Sequence, residues 1–420
     1  MIFAGLADDI TGGMELAAVL AGQGVDCSFV TNPDRVQLNR EAVVIAQKTR
    51  TCAPRDALRM TACGLRAAMR ANAAQIFFKY CATFDSTAKG NIGPCADFIA
   101  RELGVDFTLF VPSFPEAERY VFQGHLFVQD RLVSESPKRF DPLTPMTDPD
   151  LVRVLQAQTA VVVGRLPLSI LHRGPAAAEV HLTALRHDGV GYAIADAISN
   201  DDLAALAELT AEWRFMTGNS TIAGFYPPIW RRQGLIPPDR GPPSLPPIDG
   251  PAVVLAGSCA DRTLEQLVAF EHHRPVIRID PLEAAQRDLV PELFAQVQAR
   301  LADGPIAIAS SARPADVKNV QDKLGVTGAA ATIEDLLGRL ASQLRRAGVR
   351  RFLVAGGETS GAILDHLGIE SMQVGRYEAA GVGRAVSEQE NPIALCLKSG
   401  KLGPVDMFLP TLEAMRRGGS

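Results

Sequence analysis

Short apolar runs and longer amphipathic stretches take turns along this chain. Runs rich in valine, isoleucine, phenylalanine and alanine occur at Ile2–Leu6, Ala42–Ala46, Gln75–Tyr80, Phe107–Val111 and Ala160–Val163. Continuous runs of this kind suit parallel strands buried under helices on both faces. Between them the spacing changes to threes and fours, so that Ala57, Met60, Thr61, Gly64, Leu65 and Ala68 fall on one helical face. The alternation predicts an α/β fold with largely parallel sheets. Between Tyr226 and Ala252 it breaks: nine of the 28 prolines lie there, with Gly234, Gly241 and Gly250. Proline stiffens the chain and removes ladder donors, so this stretch reads as a linker or surface crossing. A second series follows, with Ala252–Ala256, a helix from about Thr263, and strands at Val276–Ile279, Ile306–Ser310, Arg351–Val354 and Ile393–Leu397. The expected organisation is two α/β domains, 1–240 and 250–420, with a ligand cleft between them.

Composition narrows the class. The chain has 420 residues, 47% of them hydrophobic, enough to bury substantial cores. Forty-two basic against 47 acidic residues give a net charge of −5, with no positive excess to hold a phosphate backbone, so no nucleic-acid partner is expected. No run approaches the roughly 18 apolar residues of a membrane span. The start, Met1 to Ala7 followed by Asp8-Asp9, lacks a basic leader and reads as the first buried strand of a cytoplasmic protein. Seven scattered cysteines without a Cys-x-x-Cys pair read as reduced, mostly buried thiols.

The chain has no P-loop and no Gly-x-Gly-x-x-Gly after a strand. Its polar clusters sit just after strands, at the edge where open α/β sheets bind ligands. Ala7-Asp8-Asp9-Ile10-Thr11-Gly12-Gly13 follows the first strand, before a helix expected near Met14. Adjacent carboxylates repel and can raise one pKa, so either can accept or bind a substrate hydroxyl; equally, Asp9 or Thr11 can simply cap the helix. Arg50, in Lys48-Thr49-Arg50-Thr51, suits a carboxylate, or is a plain surface residue. Phe78-Lys79-Tyr80 leads into a loop with Thr83, Asp85, Ser86 and Asn91, enough donors and acceptors to grip a polyhydroxylated molecule; Ser86 and Thr87 can also be turn residues. In the second series, Gly257-Ser258-Cys259, Gly356-Gly357-Glu358-Thr359-Ser360-Gly361 and Lys398-Ser399-Gly400-Lys401 follow strands, as in turns that cradle phosphate at a helix start. His125 is flanked by apolar residues, and His272-His273 is not at metal-ligand spacing.

Taken together these pieces resemble the four-carbon acid sugar kinases. The set comprises Ala-Asp-Asp-Ile-Thr-Gly, Lys-Thr-Arg, Thr83-Phe84-Asp85-Ser86-Thr87 with Gly90-Asn91-Ile92-Gly93-Pro94, Val111 to Pro115, Gln123 to Val128, Pro142 to Asp148, Gly257-Ser258-Cys259 and Gly-Gly-Glu-Thr-Ser-Gly. The Thr-Phe-Asp-Ser-Thr and Gly-Gly-Glu-Thr-Ser-Gly forms lean towards the 3-oxo-tetronate 4-kinase branch. Two places depart from the usual pattern: Lys89, and Val382-Gly383-Arg384-Ala385.

The resemblance implies an N-terminal domain for the sugar acid and a C-terminal domain for ATP. It places Asp9, Arg50, Thr83, Asp85 and Ser86 on the acid, to which the same loops add Asp8, Lys79 and Asn91 as candidates, and Ser258, Gly356, Gly357, Glu358, Thr359 and Gly400 on ATP. The implied reaction is ATP- and Mg²⁺-dependent phosphorylation of the 4-hydroxyl of 3-oxo-tetronate, with Arg50 pairing the substrate carboxylate and Asp9 the first choice as base, Asp8 or Asp85 being the alternatives. Alternatives are a kinase of D-threonate or D-erythronate and, in another class, a non-catalytic sugar-acid sensor. Metal ligands and oligomeric state, a homo-oligomer included, stay open.

Overall fold

The computed structural model describes residues 1–141, 143–238, 240–310, 326–379 and 381–419. They form two compact units, Met1–Gly241 and Pro242–Ser420.

The first unit contains β1 (Phe3–Ala7), β2 (Cys27–Val30), β3 (Ala42–Ala46), β4 (Gln75–Lys79), β5 (Thr108–Val111), β6 (Arg119–Phe122), β7 (His125–Val128), β8 (Arg131–Leu132), β9 (Val162–Leu166), β10 (Val190–Ala195) and β11 (Phe215–Gly218). Its main sheet runs β2-β3-β1-β4-β11-β5-β10-β9, all parallel. Every residue of β1, β3 and β4 is buried, because helices cover both sheet faces and leave no position for a polar side. Register brings Ala7, Ala46 and Lys79 level at the carboxyl ends of β1, β3 and β4. The three following loops therefore emerge side by side.

The second unit contains β12 (Ala252–Ala256), β13 (Val276–Arg278), β14 (Ile306–Ala309), β15 (Arg351–Ala355), β16 (Ser371–Val374), β17 (Val382–Ser387) and β18 (Ala394–Lys398). These run β13-β14-β12-β15-β18-β17-β16. The first five are parallel, β17 runs antiparallel to β18, and β16 antiparallel to β17. Ala256, Ala355 and Lys398 end level.

The expected α/β fold with largely parallel sheets is present, and three local readings change. The stretch from Tyr226 is not all linker. Tyr226–Arg232 is a helix whose Trp230 is 1% exposed, its ring stacked on Tyr226 with centroids 5.9 Å apart. Pro227 and Pro228 sit in the first helical turn, where a missing N–H costs nothing. The first helix, Ile10–Gly22, starts directly after β1 rather than near Met14, because the Asp9 side chain caps it by accepting from the Gly12 amide. Strand β9 begins at Val162 rather than Ala160. The Thr159 hydroxyl bonds the Val161 amide and Asp97, holding that stretch in a turn.

The stretch Gln123–Val128 forms part of a small antiparallel sheet, β6-β7-β8, that the apolar pattern does not announce. Gln123 and Gly124 both have positive φ in its hairpin turn. Their amides donate to the fully buried Asp196. His125 there lies 2.8 Å from the Gln123 carbonyl through Nδ1, while His272 and His273 are exposed where the helix Asp261–Glu271 ends. Cys27, Cys95 and Cys396 are buried, and no disulfide joins the seven thiols.

Candidate active site

In the first unit the chain winds to one side from β1, through β2 and β3, then crosses to β4 on the other side. Such a reversal leaves a crevice at the carboxyl edge, between the loops after β1 and β4. Backbone bonds knit these loops and the one after β3. The Asp8 carbonyl accepts from the Thr49 and Arg50 amides at 3.0 and 3.2 Å, and the Asp8 amide donates to the Lys79 carbonyl at 3.0 Å.

Arg50 is the hub. Its Nε and Nη2 clasp both oxygens of Asp8 at 2.9 and 2.8 Å, and Nη2 also donates to Asp9 Oδ1 at 2.8 Å. Asp9 Oδ1 takes the Gly12 amide as well, and Oδ2 the Thr11 hydroxyl. Asp9 thus caps the helix and pairs a cation at once. The Arg50 fork is spent on protein carboxylates, so in this arrangement a substrate carboxylate would meet Nη1 alone. The buried Lys79 Nζ lies 3.8 Å from Asp9 Oδ1. It packs so closely on Gly12 that a Cβ there would come within 2.0 Å of it, which is why a glycine is found inside the first turn.

Burial pushes the Asp8 carboxyl above the usual range, and Arg50 only partly pulls it back. Burial opposes the Asp9 charge too, but Arg50, Lys79, Thr11 and the Gly12 amide together hold that carboxyl below the usual range. The two neighbouring acids are split, as like charges at one strand end are expected to be.

The loop after β4 forms the other wall. Phe84 sits at φ +51, a strained setting for an aromatic, and its buried ring packs edge-on against Tyr80 with centroids 5.2 Å apart. That core contact fixes the turn from which Thr83 and Asp85 project. The Thr83 hydroxyl donates to Asp85 Oδ1. Ser86 accepts from Gln158 at 2.9 Å. Asn91 Nδ2 donates to the Thr49 and Cys52 carbonyls at 2.7 and 2.9 Å, so Asn91 straps the Arg50 loop from below.

Two residues at this site carry no marker in the sequence. Lys138, 7% exposed, reaches Asp85 Oδ1 at 2.9 Å and Asp141 Oδ2 at 2.8 Å. Burial opposes the charges, but Lys138 and Arg50 hold Asp85 below the usual range, and Asp141 falls to about 2 through its Lys138 bond. Burial pushes the Cys81 thiol up, with Asp85 adding to the rise and Arg50, Lys138 and Lys79 opposing it. Its Sγ lies 3.1 Å from the Thr83 hydroxyl on the same loop. The only sequence signal was the Pro142–Asp148 stretch next door, of which Pro142 lies outside the described residues.

The second unit repeats the reversal: from β12 the chain goes to β13 and β14 on one side, then to β15 on the other. The loops at this point are the glycine turns. The Gly257 and Ser258 amides donate to the Ala355 carbonyl at 3.2 and 3.3 Å, and the Gly356 amide to the Lys398 carbonyl at 3.0 Å. A Cβ on Gly257 would lie 2.2 Å from Thr359 Oγ1, and one on Gly400 2.0 Å from Ser258 Oγ. Gly356 has φ +131 and precedes the helix Gly357–Leu367. With those three amides engaged, the start of the helix Gly357–Leu367 is the part of the turn suited to phosphate. Glu358 is exposed in the first turn.

Lys398, at the start of the third glycine turn, is not a charge held out to solvent. It is fully buried, and Nζ donates to Gln266 Oε1 at 2.7 Å, Thr263 Oγ1 at 3.1 Å and the Gly400 carbonyl at 3.4 Å. Thr263 bonds the same carbonyl at 2.8 Å, so both side chains hold the Gly400 loop. Burial lowers Lys398 to about 8.

Both halves match family models. A sugar-binding N-terminal domain covers residues 3–225 and a nucleotide-binding C-terminal domain residues 253–408. The chain belongs to the four-carbon acid sugar kinase family. Among curated relatives of this family, a 3-oxo-tetronate kinase of Pseudomonas fluorescens Pf-5 is 43% identical over 98% of this chain and 97% of its own. A protein of the same name from Salmonella typhimurium LT2 is 34% identical, covering 96% of this chain and 97% of its own. Among solved structures, a Haemophilus influenzae protein of the DUF1537 family shares 32% identity, covers 98% of this chain and 100% of its own, and has a TM-score of 0.77. No helix among the described residues is long and apolar enough to cross a membrane.

Proposed function

We propose that this kinase transfers the γ-phosphoryl group of ATP to the 4-hydroxyl of 3-oxo-tetronate. The observation that carries this reading is the full-length similarity, 43% to the Pseudomonas protein of that activity. The charged crevice of the first unit and the glycine cradle of the second give it chemical sense. On this reading the unit Met1–Gly241 holds the acid. Arg50 Nη1 and Lys79 face its carboxylate, while Thr83, Asp85 and Ser86 address its hydroxyl and keto oxygens. The unit Pro242–Ser420 holds ATP, with the start of the helix Gly357–Leu367 and the Gly400 loop around the phosphates and the Gly257-Ser258 turn beside them.

Mg²⁺, when bound, neutralises charge on the triphosphate. No group of three or more His, Cys, Asp or Glu side chains is placed to hold a metal among the described residues. This fits an ion that takes its ligands mainly from phosphate and water. The protein's part is orientation, charge balance and proton acceptance, since phosphoryl transfer needs little covalent help.

The test is ADP release by the purified chain with ATP and Mg²⁺, across D- and L-3-oxo-tetronate, D-threonate and D-erythronate. Release with an oxo acid is the expected result, and it sets the stereochemistry. Release with the reduced acids alone would move the specificity by the few contacts that separate a carbonyl from a hydroxyl. Release with none would overturn the kinase reading in favour of a sugar-acid-binding protein.

A further inference from the structure

Asp85 has an asymmetry that its neighbours lack. Each oxygen of Asp8 and of Asp9 has a partner. At Asp85 the Thr83 hydroxyl and the Lys138 ammonium both converge on Oδ1, and Oδ2 has no partner among the described residues. The Asp85 side chain is 13% exposed, so this open oxygen lies in a largely enclosed place. Its supporting cation is itself anchored. Asp141 takes Lys138 on Oδ2 and the Leu143 and Thr144 amides on Oδ1, at 3.1 and 3.0 Å.

We propose that Asp85, through Oδ2, is the catalytic base for the acceptor hydroxyl, and that Lys138, anchored by Asp141, is its positioning residue. The proposal rests on the kinase reading above. As the substrate O4 attacks, its bond to the γ-phosphorus forms. The bond from that phosphorus to the β,γ-bridging oxygen breaks, and its electron pair leaves on ADP. The O4 proton passes to Asp85 Oδ2 and from there to water. In a loose transition state the proton departs late, once bonding to phosphorus has made the hydroxyl acidic, so a weakly basic carboxylate suffices.

The charged and titratable groups acting on Asp85 are Lys138, Arg50, Arg119 and the Cys81 thiol. The three cations keep the carboxylate ionised against burial, and burial keeps the thiol protonated. Asp9, by contrast, has its oxygens spent on a helix cap and a salt bridge. Sequence reading makes Asp9 the first choice as base; its geometry suits a structural anchor for Arg50 better.

The experiment uses the full chain with 3-oxo-tetronate, ATP and Mg²⁺. Asp85→Asn is expected to lower kcat by about 100- to 10,000-fold, with KM for the acid changing less than about fivefold, and to exceed the loss from Asp9→Asn. An Asp85→Asn enzyme with near-wild-type kcat and a raised KM would overturn the proposal, as would the reverse order of the two variants. If thermal melting shows that Asp85→Asn does not fold, Lys138→Gln carries the test. Removing that cation should move the acid limb of the kcat/KM profile to higher pH, because Asp85 then protonates more readily. A uniform fall at every pH, with no shift, would overturn the proposal. A wild-type enzyme inert with every acid would instead overturn the kinase reading, a result distinct from these.

Discussion

The two units share one strand order and fill it with opposite chemistry. Each sheet contains the run second strand, third, first, fourth: β2-β3-β1-β4 in one and β13-β14-β12-β15 in the other. Each therefore opens a crevice between the loops after its first and fourth strands. In the first unit those loops carry Asp8, Asp9, Lys79 and Asp85, bound into an ion-pair network by Arg50 and Lys138. In the second they carry Gly257, Ser258, Gly356 and Gly357, with one buried lysine behind them. Topology sets where a ligand can sit. On the proposed function, the two or three residues after each strand set its class: a small acid with hydroxyls where side chains converge, a phosphate chain where side chains are missing.

If this division is right, damage to one crevice should leave the other working. Arg50→Met should have the largest effect, since it strands the buried Asp8 without its cation and leaves Asp9 only the more distant Lys79. We expect a loss of about 3–5 kcal/mol of stability in thermal or chemical denaturation and no detectable ADP release. ATP affinity, measured by calorimetry below the melting temperature, should stay within about twofold of wild type. A matching loss of ATP binding would show that the crevices are not independent.

Gly257→Ala reverses the experiment. The new Cβ would press on Thr359 Oγ1, and overpacking of about 1–3 kcal/mol, if relieved only by distorting the ATP cradle, corresponds to a rise in KM for ATP of about 5- to 150-fold. KM for the acid should not move.

The smallest effect belongs to Lys398. Its folded pKa, lowered to about 8 by burial, lies below the unfolded value near 10.4. Between these values the unfolded chain binds more protons than the folded one. The lysine's cost to stability is therefore present in full below pH 8 and relieved as pH rises through that window. A triphosphate nearby would favour the charged form, so ATP binding near pH 8 should take up a fraction of a proton. Calorimetry in buffers of different ionisation heat reads this, and Lys398→Met should abolish it.

Strands β3 and β12 were legible to the residue because each is an unbroken apolar run bounded by polar residues or proline. The glycine turns were legible because glycine in that position has few other uses. Asp9 was legible as two alternatives, cap and charged site residue, and a single carboxylate turns out to make both sets of bonds. Lys138 was not legible. It lies in Pro-Lys-Arg-Phe, which looks like surface, and its partner Asp85 is brought to it only by the tertiary fold. Trp230 was hidden for a different reason: prolines that break a helix in its interior are harmless in its first turn. The small β6-β7-β8 sheet escaped notice because its strands are short and its turn depends on the remote carboxylate of Asp196.

Phe84 constrains how such an enzyme can change its diet. Its ring belongs to the hydrophobic core while its backbone, at φ +51, sets the directions of Thr83 and Asp85. Selection for a new acid cannot easily remodel that turn, since any shift that re-aims the polar pair also uproots an aromatic anchor. Innovation is therefore channelled to the Lys138–Asp141 segment that supports Asp85. There, exposed Phe140 and Leu143 flank the anchor Asp141 and can be exchanged without a toll on folding. A designer seeking altered selectivity would randomise those two positions first and leave the turn alone.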